Sequence, residues 1–421
     1  MTSDGRPPLE DDAATRAASM PRVLVEIAWI FLRLGCTSFG GPVAHLGYLR
    51  AELVERRRWL DDAHFSDLVA LCQFLPGPAS SQVVFALGSV RAGLVGALVA
   101  SLCFTLPSAL LMIAFALGVA RAGSLEHAGW LHGLKLAAVA VVAQAVWRMG
   151  KALLTDRTRA LLCFAAAALL IAVPSALAQL GVIAGGGAVG WWLYRKASTR
   201  HEQASAESAA RGHRLALLAL FTFALLLALL PMLAATTGAR HLAWFDAFYR
   251  SGALVFGGGH VVLPLLRAEV VPTGWLADDA FLAGYGAAQA LPGPLFTFAA
   301  YLGTAMSQGP YAWLDGLWCL LAIFLPAWLL IGGALPFWRS LRRLAWAQAA
   351  LAGANAAVVG VLLAALYHPV ITESVRGGAD VVAALLAFAA LEHGRAPPWL
   401  VVVVMAALGQ WLLPMVGVAG G

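Results

Sequence analysis

The chain has 421 residues, 61% of them hydrophobic and only 12% charged, with a formal net charge of +6. Ordinary soluble domains carry roughly twice that share of charge, so this composition and a mean hydropathy of +0.79 exclude one. The basic excess then concerns loop placement in a membrane rather than nucleic-acid binding.

Residues 1–21 form a mixed polar arm (Asp4, Arg6, Glu10, Asp11, Asp12, Arg16) without the apolar core of a cleaved signal peptide. Segments 22–40, 43–58, 62–75 and 79–91 are short, partly polar and separated by Gly and Pro. They read as broken or re-entrant helices, which membranes tolerate only inside protein or along a watery cavity. The apolar runs 93–120, 126–147, 159–173 and 174–194 follow as spans. A hydrophilic stretch, 195–214, reads as a linker. An apolar span, 215–236, comes next, and the pattern then restarts over 237–421.

The restart repeats the same words. Phe39-Gly40-Gly41-Pro42 returns 217 residues later as Phe256-Gly257-Gly258-Gly259, and Trp59-Leu60 returns 216 later as Trp275-Leu276. Gln73-Phe74-Leu75-Pro76-Gly77-Pro78 returns, also 216 later, as Gln289-Ala290-Leu291-Pro292-Gly293-Pro294. Leu106-Pro107 matches Leu325-Pro326, and Trp147-Arg148 matches Tyr367-His368. Two repeats, 22–194 and 237–421, therefore descend from one unit. The span 215–236 has no partner, and one unpaired crossing between two even-crossing units makes them antiparallel.

Loop charge agrees. Arg50, Arg56, Arg57 and Arg58 are answered only by Arg267, and Arg148, Lys151, Arg157 and Arg159 only by Arg376, whereas Arg121 is answered by Arg339, Arg342 and Arg343. Lys and Arg mark cytoplasmic loops. The N-terminus and the 195–214 linker are expected inside and the C-terminus outside. The expected fold is an all-α polytopic membrane protein of two inverted-topology repeats with broken or re-entrant helices, about nine to thirteen in number.

Each repeat also carries an arginine six residues before its Phe-Gly-Gly break, Arg33 and Arg250. A lipid-facing cation there costs at least about 2.5–3.5 kcal/mol on insertion scales. Each arginine is expected to face an anionic ligand, a cavity or a carboxylate, with Glu26 and Asp246 as candidate partners. Gly40, Gly41, Gly257 and Gly258 allow close backbone approach to a ligand. Pro42, Pro76, Gly77, Pro78, Pro292, Gly293 and Pro294 end and restart helices and are candidate hinges. Restarted helix ends offer N–H groups to an anion; close helix packing is the alternative reading.

Gln73 and Gln289 can donate to an oxyanion or cap freed carbonyls. Lys135, with Asn355 at the matching place, can neutralise an anion or carry a proton. His45 and His260 follow the glycines at a slightly different offset and are candidates for proton coupling. Cys36, Cys72, Cys103, Cys163 and Cys319 lack metal-ligand spacing, and no Walker loop is present. No metal, cofactor or catalytic residue is expected.

At the paired Phe-Gly-Gly and Gln-x-x-Pro-Gly-Pro motifs the chain resembles the chromate ion transporter (CHR) family in its long, two-domain form. The resemblance spans essentially everything outside the N-terminal arm and the linker. It implies efflux of chromate, a tetrahedral dianion resembling sulfate, across the bacterial inner membrane, drawing on an ion gradient or the membrane potential and giving chromate resistance. Gly259 in place of Pro42 departs from strict repetition. The expected partners are chromate or a sulfate-like oxyanion and the lipid bilayer, with a coupling ion and a homodimer left open. Alternatives are a sulfate or other oxyanion transporter, an anion channel, and an intramembrane enzyme acting on a lipid phosphate; for the last, no nucleophile motif recurs.

Overall fold

In the computed structural model the described residues are 9–121, 129–194, 210–255, 259–307, 309–338, 344–394 and 396–411. Among them the regular structure is helical throughout. The first repeat contains α1 (Leu9–Thr37), α2 (Gly41–Arg50), α3 (Asp62–Phe74), α4 (Ala79–Arg121), α5 (Gly129–Leu153), α6 (Arg157–Ala172) and α7 (Ala176–Tyr194). The connecting helix is α8 (Ala210–Thr237). The second repeat contains α9 (Arg240–Ala253), α10 (Val262–Val270), α11 (Asp278–Ala290), α12 (Phe298–Met306), α13 (Ala312–Ala334), α14 (Ala345–Ala365), α15 (Gly378–Glu392) and α16 (Pro398–Trp411). The protein is an all-α polytopic membrane protein. Its helices outnumber the nine to thirteen read from sequence because the Gly and Pro signals split them into shorter pieces.

The local causes are visible at the ends. Asp61 caps α3 by accepting the backbone N–H of His64 at 2.8 Å, and that bond holds its carboxyl below its ordinary value. Pro76 disfavours a helical residue before it, and α3 ends in an extended Leu75 at ψ 148°. The second repeat does the same, with α11 ending in an extended Leu291 at ψ 148°. Helix α4 reverses at Ala92-Gly93, where φ of Gly93 is 60°. Its two arms then lie so close that a Cβ on Gly88 would stand 2.4 Å from the carbonyl oxygen of Gly96. The second repeat makes the same reversal with two separate helices, α12 and α13, pressed together at Gly303.

Among the described residues, five helical stretches are long and apolar enough to cross a bilayer: 79–120, 129–153, 214–237, 312–337 and 346–371. The connecting span is the least buried of them, with Leu215, Leu217, Leu218, Phe221 and Met232 exposed, as a lipid-facing helix requires.

The repeats exchange partners. Helix α14 of the second repeat packs on α6 and α7 of the first, and α5 of the first packs on α15 and α16 of the second. Small residues set both contacts. A Cβ on Gly353 would meet the Gly186 oxygen at 2.0 Å, and one on Gly133 would meet the Met405 oxygen at 2.0 Å. Lipid tails are as apolar as the helices, so this close backbone packing is what holds such pairs together.

Candidate functional site

The two arginines are each held by a glutamate nineteen residues on. Arg33 Nη2 donates to Glu52 Oε2 at 2.6 Å, and Arg250 Nη1 donates to Glu269 Oε1 at 2.8 Å. These glutamates close identical tripeptides, Arg50-Ala51-Glu52 and Arg267-Ala268-Glu269, whose arginines also repeat a pairing. Arg50 Nε donates to Asp62 at 2.8 Å and Arg267 Nε to Asp278 at 2.9 Å.

The surroundings then diverge. A π turn over Ala51–Arg56 follows α2, and Glu52 also accepts Arg56 at 3.2 Å and Arg57 at 2.7 Å. Glu26, the partner expected for Arg33, instead takes Arg57 at 2.9 Å and Arg91 at 3.4 Å. Four guanidinium groups thus share two carboxylates. Arg33 uses one terminal nitrogen in its glutamate bond, and its side chain is 42% exposed. Arg250 is gripped from two sides, by the expected Asp246 through Nε and Nη2 and by Glu269 through both terminal nitrogens. One guanidinium there faces two carboxylates. Arg33 can reach an anion, while Arg250 is already saturated by acid groups.

The helix breaks meet crosswise. The Gly77 N–H donates to the Val255 carbonyl at 2.7 Å, and the Gly293 N–H donates to the Ser38 carbonyl at 2.8 Å. Each Pro-Gly-Pro turn is therefore tied to the end of the arginine helix of the other repeat. Gly77 and Gly293 take φ of 121° and 94°, a region that side chains strain to enter. Beside the second crossing, Ser108 and Thr297 pair their hydroxyls at 2.7 Å, again across the repeats.

A family model described as chromate transporter matches residues 25–191 and again residues 242–410. The chain belongs to the chromate transporter family. It is 31% identical over 342 residues to a chromate transport protein of Pseudomonas aeruginosa, covering 76% of this chain and 75% of that one. It is 28% identical over 394 residues to a chromate transport protein of Cupriavidus metallidurans, covering 91% and 90%. A probable chromate transport protein of Synechococcus elongatus is 29% identical over 327 residues, covering 75% and 77%. No solved structure matches the chain.

In this chromate transporter family member the other residues singled out from sequence are distributed as follows. Lys135 is 3% exposed and its ammonium forms an ion pair with Asp279, at the start of α11. The matching positions, Asn355 and Ala63, are both uncharged, so the pair exists in one repeat and is missing as a unit from the other. Asn355 is half-buried on α14. Removing Asp279 alone leaves the Lys135 charge unpaired, so Asp279→Ala is expected to cost about 1–3 kcal/mol. Lys135→Met with Asp279→Ala is expected to recover most of it. Thermal unfolding in detergent reads the cycle; equal losses in the single and double variants would contradict it.

Gly40 and Gly41 take φ of 98° and 77° at the start of α2, and Pro42 stands in its first turn. Gly257 and Gly258 lie outside the described residues. Pro78, Pro292 and Pro294 are buried and Pro76 is half-buried around the crossed turns. Gln73 is exposed, while Gln289 has a buried amide nitrogen without a hydrogen-bond partner. At the first turn a carbonyl is capped by Gln82, whose Nε2 donates to the Pro76 carbonyl at 2.8 Å. His45 is buried against the Ser38 carbonyl at 3.1 Å and Ser80 Oγ at 3.4 Å, and His260 meets the Tyr285 hydroxyl at 2.9 Å.

Sequence reading passed over Glu52, Glu269, Gln82 and the Ser108–Thr297 pair. The repeated Arg-Ala-Glu was a signal for the first two, at the same 217-residue offset as Phe-Gly-Gly. A cavity of about 440 Å³ opens between α6, α7, α10 and α14, with Ser175, Gln179, Arg267, His368 and Thr372 among its lining.

Proposed function

We propose that the chain is a secondary transporter that exports chromate from the cytoplasm across the bacterial inner membrane and so confers chromate resistance. The observation that supports this most is the surplus of guanidinium groups around Glu52 and Glu26, with Arg33 partly free, five residues before the Ser38 carbonyl that accepts the Gly293 N–H. Guanidinium forks match tetrahedral oxyanions. Arg33 is the proposed anion contact, with the α2 start at Gly40 and Gly41 as backbone donor and the Pro-Gly-Pro turns as hinges.

Loop charge supports two inverted repeats, 22–194 and 237–421, with the 195–214 linker inside and the C-terminus outside. In that orientation the basic cluster faces the cytoplasm, where chromate must be collected. An interior-negative potential then favours export, because each charge moved with the field gains about 2.3 kcal/mol per 100 mV.

Everted membrane vesicles test the proposal. Energised vesicles are expected to accumulate chromate. Sulfate has the same shape and charge, so it is measured alongside. Sulfate uptake without chromate uptake would overturn the substrate, and uptake of neither would overturn transport of oxyanions.

A further inference from the structure

The cavity of about 440 Å³ between α6, α7, α10 and α14 has a floor and a mouth. Leu170, Pro264, Val361, Ala364, Ala365 and Pro369 are the buried floor, while Ser175, Pro272, His368 and Thr372 stand exposed around the mouth. The mouth lies where α6 and α14 end. Both helices start after basic stretches of sequence, α6 after Arg148 and Lys151 and α14 after Arg339, Arg342 and Arg343. Lys and Arg mark the cytoplasmic side, so the mouth belongs to the opposite, periplasmic face.

The lining is free of negative charge. Among the described residues around the cavity none is acidic, and Arg267 is the fixed cation. Asp278 takes Nε and Nη2 of Arg267 but does not line the space, so the arginine side of the pair borders it, with Nη1 left over. His368 Nδ1 meets Thr372 Oγ1 at 2.9 Å, which leaves Nε2 for another partner. These groups suit a hydrated oxyanion held weakly.

The corresponding positions on the cytoplasmic side are more basic. At the offsets that align the repeats, His368 corresponds to Arg148 and Pro272 to Arg56, while Arg267 corresponds to Arg50. Three guanidinium groups thus stand at positions where the second repeat keeps one. A conducting path must bind firmly enough to load and weakly enough to release. This difference in charge runs in the direction of export.

One side chain closes the inner end. Gln179 is shared between the cavity and a pocket of about 10 Å³ against Arg250 and Ser251 on α9. The same helix leads to Val255, whose carbonyl accepts the Gly77 N–H at the crossed turns. Gln179 Oε1 is buried without a partner, so turning the side chain aside breaks no hydrogen bond at that oxygen.

We propose that this cavity is the release vestibule of the oxyanion, a weak periplasmic site bordered by Arg267, His368 and Thr372 and closed inwardly by Gln179. The assignment rests on the transport reading and the orientation above, and it adds a second, low-affinity station to the one at Arg33.

The test uses the full chain in intact cells. Pro272→Cys, at the mouth, is labelled with two membrane-impermeant methanethiosulfonates of similar size, one carrying a sulfonate and one a trimethylammonium. Wild type treated in parallel corrects for its own cysteines. Both reagents are expected to react from outside. Chromate export is then expected to fall about tenfold further with the sulfonate, the low end of what charge in a cleft does to a passing ion. Ala365→Phe fills the floor and is expected to reach the membrane and lose export; if it does not fold, the labelling decides alone. No reaction, or equal export after the two labels as a lipid-filled cavity would give, overturns the vestibule and leaves the transport reading standing. Wild-type export by folded Ala365→Phe does the same. No export by untreated wild type overturns both.

Discussion

Arg33→Ala is expected to reach the membrane at normal levels and to lose chromate export, whereas Arg250→Ala is expected to lose the folded protein. The contrast follows from what each arginine leaves behind. Without Arg33, Glu52 still accepts Arg56 and Arg57, so no buried carboxylate is orphaned. The loss falls on the anion, and a hydrogen bond to a charged group is worth about 1.5–3 kcal/mol, or roughly 10- to 100-fold in apparent affinity. Arg33→Lys keeps the charge but not the fork and should fall between. Removing Arg250 instead strands Asp246 and Glu269, and breaking a buried pair by deleting one partner costs about 3–5 kcal/mol. Export from intact cells, normalised to protein in the membrane, reads both. Wild-type export by Arg33→Ala would remove it from the site.

The second large effect is expected at the contact between α7 and α14. A Cβ on Gly353 would stand 2.0 Å from the Gly186 oxygen and 2.7 Å from Gly190 Cα. These are backbone atoms of a facing helix, so the only relief is to move the helices apart. Gly353→Ala is expected to cost about 1–3 kcal/mol, the range for overpacking, and Gly353→Leu to prevent assembly of the repeats. Gly185 supplies the control, because a Cβ there meets nothing within 4 Å. Gly185→Ala should be neutral or slightly stabilising, since Ala is favoured over Gly in helices by up to about 1 kcal/mol. Thermal unfolding in detergent, followed by size-exclusion chromatography, separates the two; equal melting of Gly353→Ala and Gly185→Ala would refute the packing argument.

Much of the architecture was legible in one dimension. Helix ends at Thr37, Phe74 and Ala290 follow from Gly and Pro in the motifs next to them, because those residues act on the chain locally. Arg33 and Arg250 stood out because a cation in an apolar stretch must find a partner. Which partner was another matter. Asp246 lies one turn from Arg250 and could be named, but Glu52 and Glu269 sit beyond the break and reach their arginines only after the chain has turned back. The carbonyl donor at the first turn was out of reach for a similar reason: Gln73 precedes the turn in sequence, whereas the restarted helix brings Gln82 to the Pro76 carbonyl.

By itself the sequence determined that this is a membrane protein of two related halves in the chromate transporter family, since hydropathy, glycine-proline breaks and repeated words are properties of short stretches of chain. The tertiary structure decided how the halves meet. The Gly77–Val255 and Gly293–Ser38 hydrogen bonds and the exchange of α7 and α16 between repeats join residues far apart in the chain, so no local pattern encodes them. It also decided that two equivalent arginines stand in opposite electrostatic settings. Charge balance depends on every group within a few ångströms, and Glu52 gathers three arginines while Arg250 gathers two acids.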